Sequence, residues 1–358
     1  MSGRDVYRLI AEAHGFGHSE RYRRVLESAV TEVEAEVGLA LPKPPDQLTT
    51  EELASKLDMD LGIVESALAS LFHKGFASAR EITARKGWRF ARNPYYLFMS
   101  SMSALGVDPR KSELYKAWYD FSINEFYRHL ADNYNKVTEP PSQKVLPYYR
   151  ALPADTEMLP QEDIRVFLKT ARRIAKATCS CRQCFAAGGE PCKHSHDYQI
   201  CMNFGRSAEF LLERGVAVEI TPEEALLLFD RCEEEGLVHG WDPAVNCICN
   251  CCSDCCFAMN PCIRYGVSLS KVISRSRYVA CTDADACNGC KECVDRCIFG
   301  AIEVRDVGGK EQTAIREEKC FGCGACVIPC PTKARTLALR PDAEPLEDYS
   351  VWLARIQK

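Results

Sequence analysis

A chain of 358 residues with 46% apolar content is long enough for two or three packed domains, which excludes disorder as its default state. The formal net charge of -5 is small for that length, so whole-molecule electrostatics favour neither nucleic acid nor an anionic membrane surface. Arg4, Asp5 and Arg8 interrupt the apolar residues at the N-terminus, and no apolar run reaches the roughly 18 residues a membrane span needs, so a soluble, cytoplasmic protein without membrane contact is expected.

Residues 1–40 read as a helical segment, with apolar positions at helical spacing from Tyr7 to Val37 and Glu and Arg on the other face. Leu41-Pro42-Lys43-Pro44-Pro45 ends it. Within 41–93, Thr49-Thr50-Glu51-Glu52 is a capped helix start, Asp58 to Gly62 a turn, Ile63 to Lys74 a second helix closed by Gly75, and Phe76 to Phe90 a two-stranded hairpin around Lys86-Gly87. This order resembles a winged helix. The face that would enter a groove, Asp60 to Leu71, has Asp60 and Glu65 but no Arg or Lys, so the wing residues Arg80, Arg85, Lys86, Arg89 and Arg92 are the only basic support for nucleic acid. The balance falls on protein contact or packing.

Residues 94–177 form a helical region. Tyr95, Tyr96, Phe98, Tyr115, Trp118, Tyr119, Phe121, Phe126 and Tyr127 recur at helical spacing and are expected in a core, with a partner interface as the alternative. A polar linker with Pro140 and Pro141 follows, then one more helix from Gln161 to Ala177.

All 22 cysteines lie between Cys179 and Cys330. A secreted disulfide scaffold is usually smaller and does not begin with a cysteine-free half, so thiolate ligation of metal in a reducing compartment is the better account. Residues 178–275 are a Cys-rich region that implies one or two additional iron–sulfur clusters. The candidate ligands are Cys179, Cys181, Cys192 and Cys201 in one site, and Cys249, Cys251, Cys252 and Cys255 in or near another. Thr221-Pro222-Glu223-Glu224 opens a helix through Glu235 between the two clumps. His194, His196 and His239 weigh more as ordinary histidines than as ligands.

Residues 276–342 carry the sharpest signal. Cys287-x2-Cys290-x2-Cys293-x3-Cys297 recurs 33 residues later as Cys320-x2-Cys323-x2-Cys326-x3-Cys330-Pro331, and Ala301 to Val304 and Thr313 to Ile315 flank Gly308-Gly309 as a hairpin. Gly289, Gly322 and Gly324 stand where a backbone must come close to a cluster. Paired zinc sites weigh less, because they rarely show three Cys-x2-Cys steps and a fourth cysteine twice in register. The segment resembles the two-cluster bacterial ferredoxin domain, with Ile298 where the common pattern has Pro. That resemblance implies two 4Fe-4S clusters, one on Cys287, Cys290, Cys293 and Cys330, the other on Cys320, Cys323, Cys326 and Cys297. Residues 343–358 are expected to form a helical tail.

The fold class expected is therefore α+β: a mainly helical N-terminal half with a winged-helix-like module, a Cys-rich middle, and a C-terminal 2×4Fe-4S ferredoxin domain. Ala-Thr-Cys-Ser-Cys-Arg at Cys179, Cys201 before Phe204-Gly205, Gly236 to His239 and Ile248 to Cys252 also resemble a family of 4Fe-4S binding proteins, many from anaerobic microbes. The resemblance implies electron transfer. Clusters held by eight cysteines have no open coordination site, so a relay between redox partner proteins, as a subunit of an oxidoreductase complex and with no catalytic residue of its own, leads the readings. The rivals are a reductase with an unusual cluster in 179–262, motivated by the crowded Cys251-Cys252 and Cys255-Cys256 pairs, and a redox-sensing winged-helix regulator. No Gly-rich nucleotide fingerprint supports flavin or nicotinamide.

Overall fold

The computed structural model describes residues 5–42, 46–91, 93–156, 158–195, 197–343 and 345–357, so Arg4, Lys43, Pro44, Pro45, Arg92 and His196 lie outside the described residues. The chain divides into a first unit of Met1–Tyr127, Ala177–Pro191 and Glu209–Val218, and a second of Arg128–Lys176, Cys192–Ala208 and Glu219–Lys358. Both helix and sheet contribute.

In the first unit the segment expected as one helix from Tyr7 to Val37 is three: α1 (Val6–Ala13), α2 (Glu20–Ala29) and α3 (Glu32–Ala40). Apolar spacing runs across the breaks, but the caps do not. Ser19 accepts from the Tyr22 amide to start α2, and Thr31 with Glu34 makes a capping box that starts α3. A second box, Thr49 with Glu52, opens α4 (Thr50–Leu57), and Asp60 caps α5 (Leu61–Lys74). Gly75 ends α5 at φ +83°, a conformation that favours glycine. Strands β1 (Ala77–Glu81) and β2 (Lys86–Phe90) then pair antiparallel, with Ala79 opposite Trp88. The turn falls at Ile82 to Arg85, so Lys86 and Gly87 are in the strand and not at its tip. Leu48 adds a bridge to Trp88.

Helices α6 (Pro94–Ser101) and α7 (Glu113–Phe121) carry the aromatic run into the core. Phe98, Trp118, Phe121 and Tyr127 are fully buried, and Tyr22 packs its ring 4.8 Å from Phe121, while Tyr95, Tyr96 and Tyr119 are half-buried. The short helix α8 (Ser180–Ala187) begins at Cys179. Thr49→Ala removes the side-chain acceptor for the Glu52 amide, and is expected to lower stability by about 1 kcal/mol, read as a lower urea midpoint at unchanged slope.

The second unit contains β3 (Lys144–Leu146), β4 (Cys201–Phe204), β5 (Val238–Asp242) and β6 (Cys247–Cys251), side by side in the order β3–β5–β6–β4 and antiparallel. The predicted helix from Gln161 to Ala177 is a helix only over Ile164–Thr170. Ala171 turns extended, and Ile174–Ala177 is a strand. The helix α9 (Pro222–Glu234) starts at a capping box of Thr221 and Glu224. Farther along come α10 (Met259–Tyr265), β7 (Tyr278–Thr282), α11 (Glu292–Arg296), the hairpin β8 (Ile302–Val307) and β9 (Lys310–Ile315), and β10 (Arg335–Leu339). Gly308 and Gly309 both have positive φ, as a two-residue hairpin turn requires. β7 pairs antiparallel with β10, which sets Thr282 opposite Arg335 and closes the 276–342 segment on itself. The C-terminal residues Tyr349–Ile356 are helical.

Candidate metal centres

The two cysteine runs face each other through that closure. Cys287, Cys290, Cys293 and Cys330 line one cleft, together with Thr282, Thr313, Thr332 and Arg335. Three sulfurs come from the first run and one from the second. Gly289 is required by its positive φ and because a Cβ there would sit 2.2 Å from the Glu311 carbonyl oxygen. Its small size thus serves the approach of β9 as much as any ligand.

Arg335 is the decisive side chain in this cleft. It is 2% exposed, its Nη2 lies 3.6 Å from Cys293 Sγ and donates to Thr313 Oγ1 at 2.7 Å, and its Nη1 donates to Thr282 Oγ1. Among the described residues no carboxylate pairs with it. A buried guanidinium without a carboxylate needs another anion. A 4Fe-4S core held by four thiolates is such an anion, so the donor set and the cation fit that group. The Thr313 amide, helped by the Gly289 amide and the Arg335 charge and opposed by burial, lowers the Cys287 thiol pKa.

The other four cysteines sit in apolar surroundings. Cys320 and Cys326 are buried among Tyr148, Tyr278, Ala280, Ile302, Ala325 and Leu337, with Cys297 and Cys323 packed against the same core. Amides point at the sulfurs: Ala301 N to Cys297 Sγ at 3.2 Å and Ala280 N to Cys320 Sγ at 3.5 Å. Burial pushes the Cys323 thiol up to about 12 and, with Cys323 beside it, Cys326 well above the ordinary range. Thiols so placed favour the neutral form unless positive charge sits among them, which bound iron would supply.

The upstream cysteines fall into separate groups. Cys247, Cys249 and Cys251 alternate along β6 and share one face. The β4–β6 register sets Asn203 opposite Cys247, and continued by two residues it places Cys201 opposite Cys249. Hydrogen bonds from Cys201, Cys247 and Cys251 hold the Cys249 thiol well below its usual value, while Cys251 is raised by its contacts with Cys249 and Cys256. This is a strip of five thiols. At the end of β6 the chain turns, and Cys252 and Cys255 meet Cys192 instead, with sulfur separations of 3.4 Å for Cys192–Cys252 and 3.1 Å for Cys252–Cys255.

Of the grouping Cys249, Cys251, Cys252 and Cys255, the first two therefore lie in the strip and the last two beside Cys192. Cys192 and Cys201 likewise fall in different groups, and Cys179 and Cys181 belong to the first unit, at the start of α8. Cys247, Cys256 and Asp254 join these groups without being among the expected ligands. For Cys247 the sequence does hold a signal, the Cys-x-Cys-x-Cys alternation of a strand. Cys184, fully buried and bonded to Ser122, is a core thiol raised by burial. His239 is fixed by Asn250 Oδ1 at 2.6 Å from its Nδ1, and faces Glu233 at 3.5 Å. All 22 cysteines are outside disulfides.

Comparison with known proteins bears on the C-terminal segment. The 4Fe-4S dicluster domain family matches residues 286–334. A ferredoxin of Methanothermococcus thermolithotrophicus is 39% identical over 57 residues, 15% of this chain and 90% of that protein. The chain belongs to the 4Fe-4S dicluster ferredoxin family. Its dicluster segment is also similar to a subunit of the ion-translocating oxidoreductase complex of Methanosarcina acetivorans, 48% identical over 48 residues, 13% of this chain and 17% of that one. Ferredoxin-type protein NapF of Haemophilus influenzae is 41% identical over 49 residues, 13% of this chain and 28% of its own. The chain thus spans under a third of the length of these two larger relatives. No helix among the described residues is long and apolar enough to cross a membrane.

Proposed function

We propose that the protein relays single electrons between redox partner proteins, as a subunit of a larger oxidoreductase assembly in a reducing, cytoplasmic compartment. One observation carries the reading: the cleft in which Cys287, Cys290 and Cys293 meet Cys330 beside the buried, carboxylate-free Arg335. Bound 4Fe-4S clusters supply one-electron chemistry there. The protein's own residues hold the sulfurs, aim amides and one guanidinium at them, and wall the second quartet from water. The ferredoxin-type and complex-subunit names of the relatives support a partner on each side of the relay.

The thiol strip extends the proposal to one further cluster, held from among Cys201, Cys247, Cys249, Cys251 and Cys256. A packed chain of residues links it to the second quartet. The Tyr148 amide donates to the Cys323 carbonyl at 2.8 Å, and the Tyr148 ring lies 4.9 Å from that of His239. His239 is in turn bonded to Asn250, which stands between Cys249 and Cys251. The first of these contacts is a backbone hydrogen bond, so it does not depend on the tyrosine side chain. The α4–α5–β1–β2 order, with no Arg or Lys on the groove-facing stretch from Asp60 to Leu71, supports a winged-helix-like module used for protein docking rather than for DNA.

Anaerobic purification with iron and sulfide analysis tests the whole reading. About eight irons per chain belong to the dicluster and about twelve include the strip, each cluster giving an EPR signal on reduction. Colourless protein with zinc or disulfides at Cys287 to Cys330 would end the proposal, and a count of about eight would remove the strip from it.

A further inference from the structure

The turn after β6 gathers four donors of a different character from the ferredoxin quartets. Cys192 Sγ, Cys252 Sγ, Cys255 Sγ and a carboxylate oxygen of Asp254 all lie within 4.8 Å of one another. The three sulfurs are buried, at 4%, 1% and 2% exposure for Cys192, Cys252 and Cys255. The carboxylate is held in place rather than left to solvent. Asp254 Oδ2 accepts the Lys193 amide at 2.7 Å, while Oδ1 faces Cys192 Sγ at 3.9 Å. Asn260 Nδ2 donates to the Asp254 carbonyl at 2.7 Å, and Arg264 Nε in turn donates to Asn260 Oδ1.

The spacing selects the kind of metal. Donors on one tetrahedral ion with bonds of about 2.3 Å sit roughly 3.8 Å apart. In a cubane each thiolate binds a different iron at an outer corner, so its sulfurs stand farther from one another. Among the described residues, no three of the eight ferredoxin sulfurs close to the 4.8 Å seen here. The donor types agree with the spacing, since three buried thiolates and one half-buried carboxylate suit a tetrahedral, redox-inert ion.

We propose that Cys192, Cys252, Cys255 and Asp254 bind a single zinc-class divalent ion, a structural site that carries no electrons. It joins the Cys192 segment to the turn at the end of β6, 60 residues away in sequence. No residue of the dicluster takes part, so the proposal stands or falls separately from the electron-relay reading.

The test uses the full chain, prepared without oxygen and assayed for zinc and iron together. About one zinc per chain is expected, and zinc-edge X-ray absorption should show about three sulfurs near 2.3 Å and one oxygen near 2.0 Å. A C252S/C255S double variant should lose the zinc and keep its iron. Should that variant fail to fold, Asp254→Ala keeps all three sulfurs, and its zinc should pass to a chromophoric chelator at least about tenfold faster than in the parent protein. Absence of zinc, loss of about four irons from the double variant, or zinc release from Asp254→Ala at the parent rate would each overturn the assignment.

Discussion

Cys330→Ser is expected to abolish the EPR signal of the cluster held by Cys287, Cys290 and Cys293 in its four-iron form, while Cys297→Ser does the same to the cluster on Cys320, Cys323 and Cys326. The effect is crossed: each change lies in one run and acts on the other run's cluster. It follows from the cleft, where Cys330 stands with the three sulfurs of the first run, and from the second core, where Cys297 packs with Cys320, Cys323 and Cys326. A serine hydroxyl is a far poorer donor to iron than a thiolate, so the affected site should drop to about three irons or empty. Iron analysis then reads about one to four irons lost in either variant. The signals assign which cluster went. If Cys330→Ser damaged the Cys320 cluster instead, the interleaved ligand sets would be wrong even though the total iron was right.

What the sequence made legible here was local. The repeat of four cysteines at a constant offset of 33 is a covalent pattern, and Gly308-Gly309 between two strand-like runs carries its own turn chemistry. The three-helix start was less visible because apolar periodicity persists across a break, and only the Ser19 and Thr31 caps mark it. The Gln161 to Ala177 segment shows the same failure in reverse. A short apolar run suits helix or strand equally, and the extended Ala171 decides it only in the folded chain. The upstream thiols were harder still. Cys251 and Cys252 are neighbours in sequence, yet strand alternation and the turn after β6 send them to different sulfur groups. Arg335 has no sequence signature at all. It reaches the first cysteine run because antiparallel pairing of β7 with β10 sets it opposite Thr282.

That placement leads to the second large effect, on potential rather than on occupancy. The first quartet has the Arg335 guanidinium against Cys293 and includes the exposed Cys290, whereas the second is surrounded by apolar side chains. A nearby positive charge and access of water both favour the reduced state, which carries the extra electron. The cluster on Cys287, Cys290, Cys293 and Cys330 should therefore have the higher potential of the two. Arg335→Gln removes the charge while keeping a shorter, neutral amide donor on the same stem. Loss of a charge-assisted contact is expected to change the balance between oxidation states by about 1–2 kcal/mol, or roughly 40–90 mV for a one-electron couple. In an EPR-monitored titration the first cluster's midpoint should fall by that amount, the second's by less, and Arg335→Lys, which keeps the charge, should fall between the parent and the glutamine variant. Equal shifts at both clusters would mean that Arg335 acts on the segment's overall field and not through Cys293, and no shift at either would show that its charge is neutralised by some other group.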